Sequence, residues 1–275
     1  MINLNGKLVE RESSSLTLNN RGYKYGDSLF ETIRIYKNKA IFLEDHYFRL
    51  MASMRMLRME IPMNFTLDYL EEQIVTLLNI LEERSITKIR ITVSRKDGGL
   101  YLPISNDIDF IIEAFEGESD IKEKYVVDLF KDHYVNSGLL STIKSSNRLL
   151  NVVSSIYADE NDLDNCILIN EKKNVVEATN ANIFVVKGNI VKTPALLEGC
   201  IKGVSRKKII EILEKKEEFV LEETQISPFE LQKADEIFLT NAIVGVQPVT
   251  NYRKKKFDSK IGALLAKELQ NLIEA

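Results

Sequence analysis

Apolar positions along the 275-residue chain recur at two spacings, every second residue or every third to fourth, and the switches between them predict the elements. Asn5-Gly6 between apolar pairs predicts a hairpin turn. Residues 29–36 read as a strand rich in β-branched and aromatic side chains, turned by Asn38-Lys39 into 40–43. Glu44-Asp45 opens a helix to about Met59, and Pro62 stops it. Its Leu50, Met51, Met54 and Leu57 fall on helical spacing, a stripe that reads as core rather than as a cofactor contact. A second amphipathic helix spans about 67–83. Strands at 88–95 and 107–115 follow, joined by a loop carrying Gly98-Gly99. Beyond it the pattern gives strand 125–131, helix 146–159, strands 165–170 and 175–178, and a hairpin through Gly188-Asn189. Helix 204–216, strands 218–222 and 236–240 and a closing helix 258–274 complete the chain.

The polar, charged run 116–124 is the best linker candidate. It predicts an N-terminal α/β lobe over 1–118, a linker over 119–124 and a C-terminal α/β lobe over 125–275. Strands and helices mixed in two lobes, with several hairpins, indicate α+β rather than a doubly wound parallel sheet.

Composition narrows the chemistry. Two cysteines, Cys166 and Cys200, suit a reducing compartment and argue against a disulfide framework. Two histidines, His46 and His133, are too few for a His- or Cys-built metal centre, so no metal is expected. A net charge of −4 makes nucleic acid a poor partner. The basic run 253–256 is the counter-signal, read as a solvated turn. The first residues lack a charged region followed by an apolar core, and no stretch approaches the ~18 apolar residues of a spanning helix, so a cytoplasmic protein without a membrane partner is expected. Demanding chemistry here would use a borrowed reactive group.

No Gly-rich nucleotide fingerprint is present, but Gly203-Val204-Ser205 stands where a helix begins, and a helix N-terminus favours an anion such as phosphate. Lys144 ends an apolar run just before the helix expected near Ser145 or Ser146. A lysine beside that positive end should have a lowered pKa and could form a Schiff base. By position alone the favoured reading is one of 37 basic residues, merely solvated. Glu177, at a strand end, is either a turn carboxylate or the partner of a dedicated cation.

As a set, these residues resemble the class IV aminotransferase family, the pyridoxal-phosphate enzymes of fold type IV. Residues 21–32 (RGYKYGDSLFET) resemble its opening signature and 46–50 (HYFRL) its helix motif. Lys144-Ser145-Ser146-Asn147-Arg148-Leu149 is similar to its Schiff-base segment, and 177–184 to its acid motif. Gly203-Val204-Ser205-Arg206 and Leu239-Thr240-Asn241-Ala242 match the two later signatures. The six stand in the family's order over nearly the whole chain. The resemblance implies a two-lobed α+β fold of the D-amino-acid aminotransferase type. It implies pyridoxal 5'-phosphate as cofactor, Lys144 as the Schiff-base lysine and general base, and Glu177 as the acid facing the pyridine nitrogen. Arg49, Val204, Ser205 and Thr240 would hold the phosphate, and Tyr25 would lie near cofactor and substrate. It also implies a homodimer, an active site between the lobes, and small-molecule amino acid and 2-oxo acid substrates.

Within the family the residues divide. Asn147-Arg148-Leu149, 94–99 (SRKDGG) and Gln247-Pro248-Val249 after Asn241-Ala242 are similar to aminodeoxychorismate lyase. Yet the lyase and the D-amino-acid enzymes usually carry an arginine just after Gly99, where this chain has Leu100. Arg90 is similar to an arginine of branched-chain enzymes, with Lys88 where they carry a substrate tyrosine. The substrate-carboxylate candidates are therefore Arg90, Arg95, Lys96 and Arg148, with Asn241 a further substrate candidate and the loop 95–106 expected to shape substrate choice. An aminotransferase is the first expectation and the lyase the second. A cofactor-free binding protein on the same fold is a third, against which Lys144 and Glu177 speak.

Overall fold

The structure, a computed structural model, describes residues 1–13, 16–81, 86–117 and 120–274. It contains two compact units. One comprises residues 1–119 and 143–147, the other 120–142 and 148–275. The segment 143–147, expected in the second lobe, thus packs with the first unit. The expected linker falls partly outside the described residues, at 118 and 119, as does the end of the second helix, at 82 and 83.

The first unit begins with the hairpin β1 (Ile2–Leu4) and β2 (Lys7–Val9), turned at Asn5-Gly6. A short helix α1 (Arg21–Tyr25), which the apolar pattern did not predict, is capped by the Asn20 side chain and ended by Gly26 at φ 64°. Then come β3 (Ser28–Tyr36), β4 (Lys39–Ala40), α2 (Leu43–Met56) and α3 (Leu67–Ile80), the last capped by Thr66. The long strands β5 (Ile86–Arg95) and β6 (Ile108–Glu116) complete a sheet of order β2-β1-β6-β5-β3-β4. Strict alternation along β3, β5 and β6 gives the sheet two faces. Leu29, Ile33, Ile89, Ile91, Val93 and Ile112 point to the side where Leu50, Met54, Leu70, Ile74 and Leu77 of α2 and α3 form the core. The methionine stripe is core, as its spacing indicates.

The second unit carries two five-stranded sheets. In one, β7 (Val126–Leu129) and β8 (Asn165–Ile169) run parallel, flanked by β9 (Val175–Ala178) and by β15 (Asn251–Tyr252) with β16 (Lys255–Lys256). Helix α4 (Leu149–Glu160) precedes β8. The other sheet has the order β12-β11-β10-β13-β14, from β10 (Asn182–Lys187), β11 (Ile190–Pro194), β12 (Val220–Thr224), β13 (Glu236–Asn241) and β14 (Gly245–Pro248). Its helices are α5 (Val204–Leu213), α6 (Pro228–Lys233) and α7 (Ile261–Glu274). Ser227, Pro228 and Glu230 form a capping box with proline in the first turn, which starts α6. The Glu236 carboxylate accepts from the first backbone N–H groups of α7, at Ile261 and Gly262. An antiparallel sheet in the first unit, mixed pairing in the second and hairpins in both make the fold α+β, as expected.

Candidate active site

In the first unit the site is built on β3. The backbone of 144–146 runs antiparallel along residues 28–30: Phe30 N donates to Lys144 O at 2.9 Å, and Ser146 N to Ser28 O at 2.8 Å. This pairing keeps 144–147 out of the helix, which starts at Leu149 behind Arg148. The expectation of a helix N-terminus beside Lys144 is therefore corrected. What Lys144 meets instead is the exposed-side ring of Phe30, whose centroid lies 4.4 Å from Nζ. The guanidinium of Arg90, on the same sheet face, lies 3.9 Å from that centroid. Lys144 and Arg90 are thus brought to one ring. Burial pulls the Arg90 pKa down, against the opposing effect of Glu113 across the strand.

The other face of β3 turns Glu31 inward to α2. Arg49 forms a fork on it, Nε donating to Oε1 at 2.8 Å and Nη2 to Oε2. His46 Nδ1 lies 2.7 Å from Oε2. Glu31 and His46 are buried, and the Arg49 side chain is 10% exposed. Burial would raise the Glu31 pKa, but the Arg49 charge and the bonds from His46 and Arg49 hold it down at about 2. His46 is lowered too, first by burial, with Arg49 and Lys144 adding to it against the pull of Glu31. An ionised Glu31 only accepts, so the His46 proton it meets sits on Nδ1. The sequence assigned Arg49 to a phosphate but gave Glu31 and His46 no role, although both lie within the quoted motifs.

Of the remaining candidates in this unit, Tyr25 closes α1, half exposed, its ring 5.1 Å from the Arg21 guanidinium and 5.6 Å from Tyr101. Arg95 is buried and committed: it donates to Asp27 at 3.0 Å, Asn106 at 2.5 Å, Leu57 O at 2.6 Å and Arg58 O at 3.3 Å. That set makes it a structural arginine rather than the substrate contact expected. Lys96 pairs with Asp107 at the surface, at 3.7 Å.

In the second unit Glu177 lies on β9, 5% exposed, and accepts from Ile201 N at 2.9 Å. Thr240 stands on β13 opposite Asn182 of β10. Asn182 Nδ2 donates to Ile201 O at 2.9 Å, and its Oδ1 would lie 2.0 Å from a Cβ added to Gly203. Gly203 is the N-cap of α5, where no side chain caps the helix, and Val204 and Ser205 of the first turn are buried. Register and contact therefore bring Thr240, Asn182 and the α5 N-terminus together. The Thr240 hydroxyl is buried and, among the described residues, without a hydrogen-bond partner. A buried orphan hydroxyl costs about 1–3 kcal/mol, so a ligand oxygen there would be stabilised. Backbone N–H groups, a hydroxyl and a helix N-terminus suit a phosphate, and a buried carboxylate suits a protonated ring nitrogen. The residues present fit pyridoxal phosphate. Asn241, expected near substrate, uses its Oδ1 to accept from Ile243 N and Val244 N and so shapes the turn into β14.

Among the described residues no group of three His, Cys, Asp or Glu is placed to hold a metal, and no helix is long and apolar enough to cross a membrane.

The chain is similar to known proteins over nearly its whole length. The chain is 30% identical over 278 residues to the "Putative branched-chain-amino-acid aminotransferase" of Methanocaldococcus jannaschii, covering 98% of this chain and 93% of that one. It is 28% identical over 288 residues to the D-alanine aminotransferase of Bacillus licheniformis, covering 98% and 94%. Its fold matches a branched-chain aminotransferase from Thermoproteus uzoniensis (TM-score 0.86, 22% identity, 99% and 94% covered). It matches a 4-amino-4-deoxychorismate lyase from Pseudomonas aeruginosa equally well (TM-score 0.86, 22% identity, 98% of each). The family model for amino-transferase class IV matches residues 28–252, and the chain belongs to the class IV aminotransferase family.

Proposed function

We propose that this chain is a pyridoxal-phosphate-dependent aminotransferase that moves the α-amino group of an amino acid, of branched-chain type, to a 2-oxo acid. The observation that carries the cofactor is the buried, partnerless Thr240 hydroxyl beside the uncapped N-terminus of α5, in the unit that also buries Glu177. Val204 N, Ser205 N, Thr240 and Arg49 would hold the phosphate, Glu177 the ring nitrogen, and Lys144 Nζ the aldehyde carbon. When bound, the cofactor supplies a carbonyl for amines and a cationic ring that withdraws electrons from Cα. Glu31 keeps the Arg49 fork pointed through two bonds, so its ordering is complete before a ligand arrives. With the cofactor bound, Lys144 Nζ would be the base that holds and moves a proton at the substrate Cα. Arg90, half-buried and on the ring that Lys144 also meets, is the best supported anchor for a substrate carboxylate, since Arg95 is committed elsewhere.

Purified protein should absorb in the visible, and Lys144→Ala should abolish that band. A colourless protein unable to take up pyridoxal phosphate would overturn the assignment. The second reading, 4-amino-4-deoxychorismate lyase, rests on Asn147-Arg148-Leu149 and Gln247-Pro248-Val249. Leucine with 2-oxoglutarate should yield glutamate. Release of pyruvate with p-aminobenzoate from aminodeoxychorismate, without that transfer, would reverse the order. The family resemblance further supports a homodimer.

A further inference from the structure

Arg21 is 3% exposed, yet no role in the site falls to it. Its guanidinium makes four bonds. Nε donates to Asp27 Oδ2 at 2.8 Å, Nη1 to Gly98 O at 3.0 Å and to Leu100 O at 2.6 Å, and Nη2 to Tyr101 O at 3.3 Å. The same Asp27 oxygen accepts from Arg95 Nε at 3.0 Å, and Arg95 holds Asn106. Two arginines sharing one carboxylate therefore grip the loop between β5 and β6 at both ends. Between the grips the loop turns sharply: Gly99 bridges to Pro103, and Gly98 and Gly99 sit at φ 104° and 78°. The side chains at 100, 101, 102 and 104 all face outward. Only a planar fork with several donors meets three carbonyls and a carboxylate at once; a lysine ammonium is a single point. The Arg21 guanidinium also lies over the Tyr25 ring.

We infer that Arg21 is a positioning residue for substrate selection: its fork fixes the backbone of 98–101, and with it the outward side chains of the loop and the Tyr25 ring against which Tyr101 packs. This rests on the aminotransferase reading. Arg21 itself touches no reacting atom, so its loss should alter substrate binding more than turnover.

The test compares the full-length, cofactor-loaded chain with Arg21→Met and Arg21→Lys, using leucine and 2-oxoglutarate. Amide exchange at 98–104 should speed up about tenfold or more in both variants, as expected when carbonyl bonds that order a segment are removed. KM for leucine should rise about tenfold, with kcat changed less than about threefold. The visible band should persist. Arg21→Lys keeps a charge for Asp27 and guards against a Met variant that fails to fold; it should regain thermal stability but neither the loop protection nor the KM. Unchanged exchange in the loop would overturn the inference. So would a faster-exchanging loop with unchanged KM, or recovery of the wild-type KM by lysine. A wild-type chain that takes up the cofactor yet turns over neither leucine nor aminodeoxychorismate would sink the functional reading and the selectivity role, while exchange would still decide the anchoring.

Discussion

The site's most consequential single residue outside the cofactor contacts is Glu31. A buried carboxylate held at about 2 by Arg49 and His46 contributes stability that is fully present above its unfolded pKa near 4.5. That stability is lost as pH falls from there through 2. The span is worth about 3 kcal/mol. His46 adds a second acid-sensitive step: its folded pKa lies below the usual 6.5, so below 6.5 the unfolded chain gains a proton the folded one refuses. Glu31→Gln should therefore lower urea-unfolding stability at neutral pH by about 3 kcal/mol. It should also flatten the decline between pH 4.5 and 2; a wild-type decline there that the glutamine variant reproduces would refute the assignment. The sequence singled out Arg49 but showed Glu31 and His46 only as members of two motifs. Strand and helix parity put them on facing sides, but nothing in their spacing said that strand and helix would meet there.

At the scale of elements, the pattern predicted the long pieces well. α2, α3 and α7 start and stop within a few residues of expectation because each carries a continuous apolar stripe. It missed α1 and α6, which are too short to show a period and are defined by their caps, Asn20 and Ser227. It also began α4 too early. The propensity of 145–148 yields to backbone pairing with β3, a long-range partner that local pattern does not report. The start of α5, by contrast, was legible, since Gly203 marks it in sequence. Gly203 has an ordinary φ of −67°, so its lack of a side chain matters for space alone. Gly203→Ala would drive a methyl into Asn182 Oδ1, breaking the bond to Ile201 O or shifting the first turn of α5. Cofactor affinity, read by absorbance titration, should fall about tenfold, with a stability loss of about 1–3 kcal/mol as for other overpacked sites. Gly138→Ala, with nothing within 4 Å of the new methyl, should change neither. Equal cofactor affinity in both variants would remove the α5 N-terminus from the site.

For the molecule as a whole, 143–147 joins the first compact unit although it follows 120–142 in the chain, because its backbone bonds lie there. Chain order therefore misassigned the lysine that composition and motif had singled out. Both units also expose apolar surface that a monomer would leave in water. On the first, Leu100, Tyr101, Leu102 and Ile104 are each more than three-quarters exposed on a loop held in place by Arg21 and Arg95. On the second, Leu149, Val152 and Ile156 form an exposed helical stripe on α4. Clustered exposed apolar side chains mark interaction surfaces, and a self-complementary two-fold contact is the commonest way to cover them. A homodimer accordingly predicts, by light scattering at micromolar concentration, a mass of twice the 31.5 kDa chain. Val152→Glu with Ile156→Lys, both on the open side of α4, should shift that mass toward the single chain without unfolding it, because neither side chain enters a core cluster. A wild-type mass of one chain would refute the dimer. A dimer untouched by the α4 substitutions would leave the loop at 100–104 as the covered surface, and a charge at Leu102 would then have to break it.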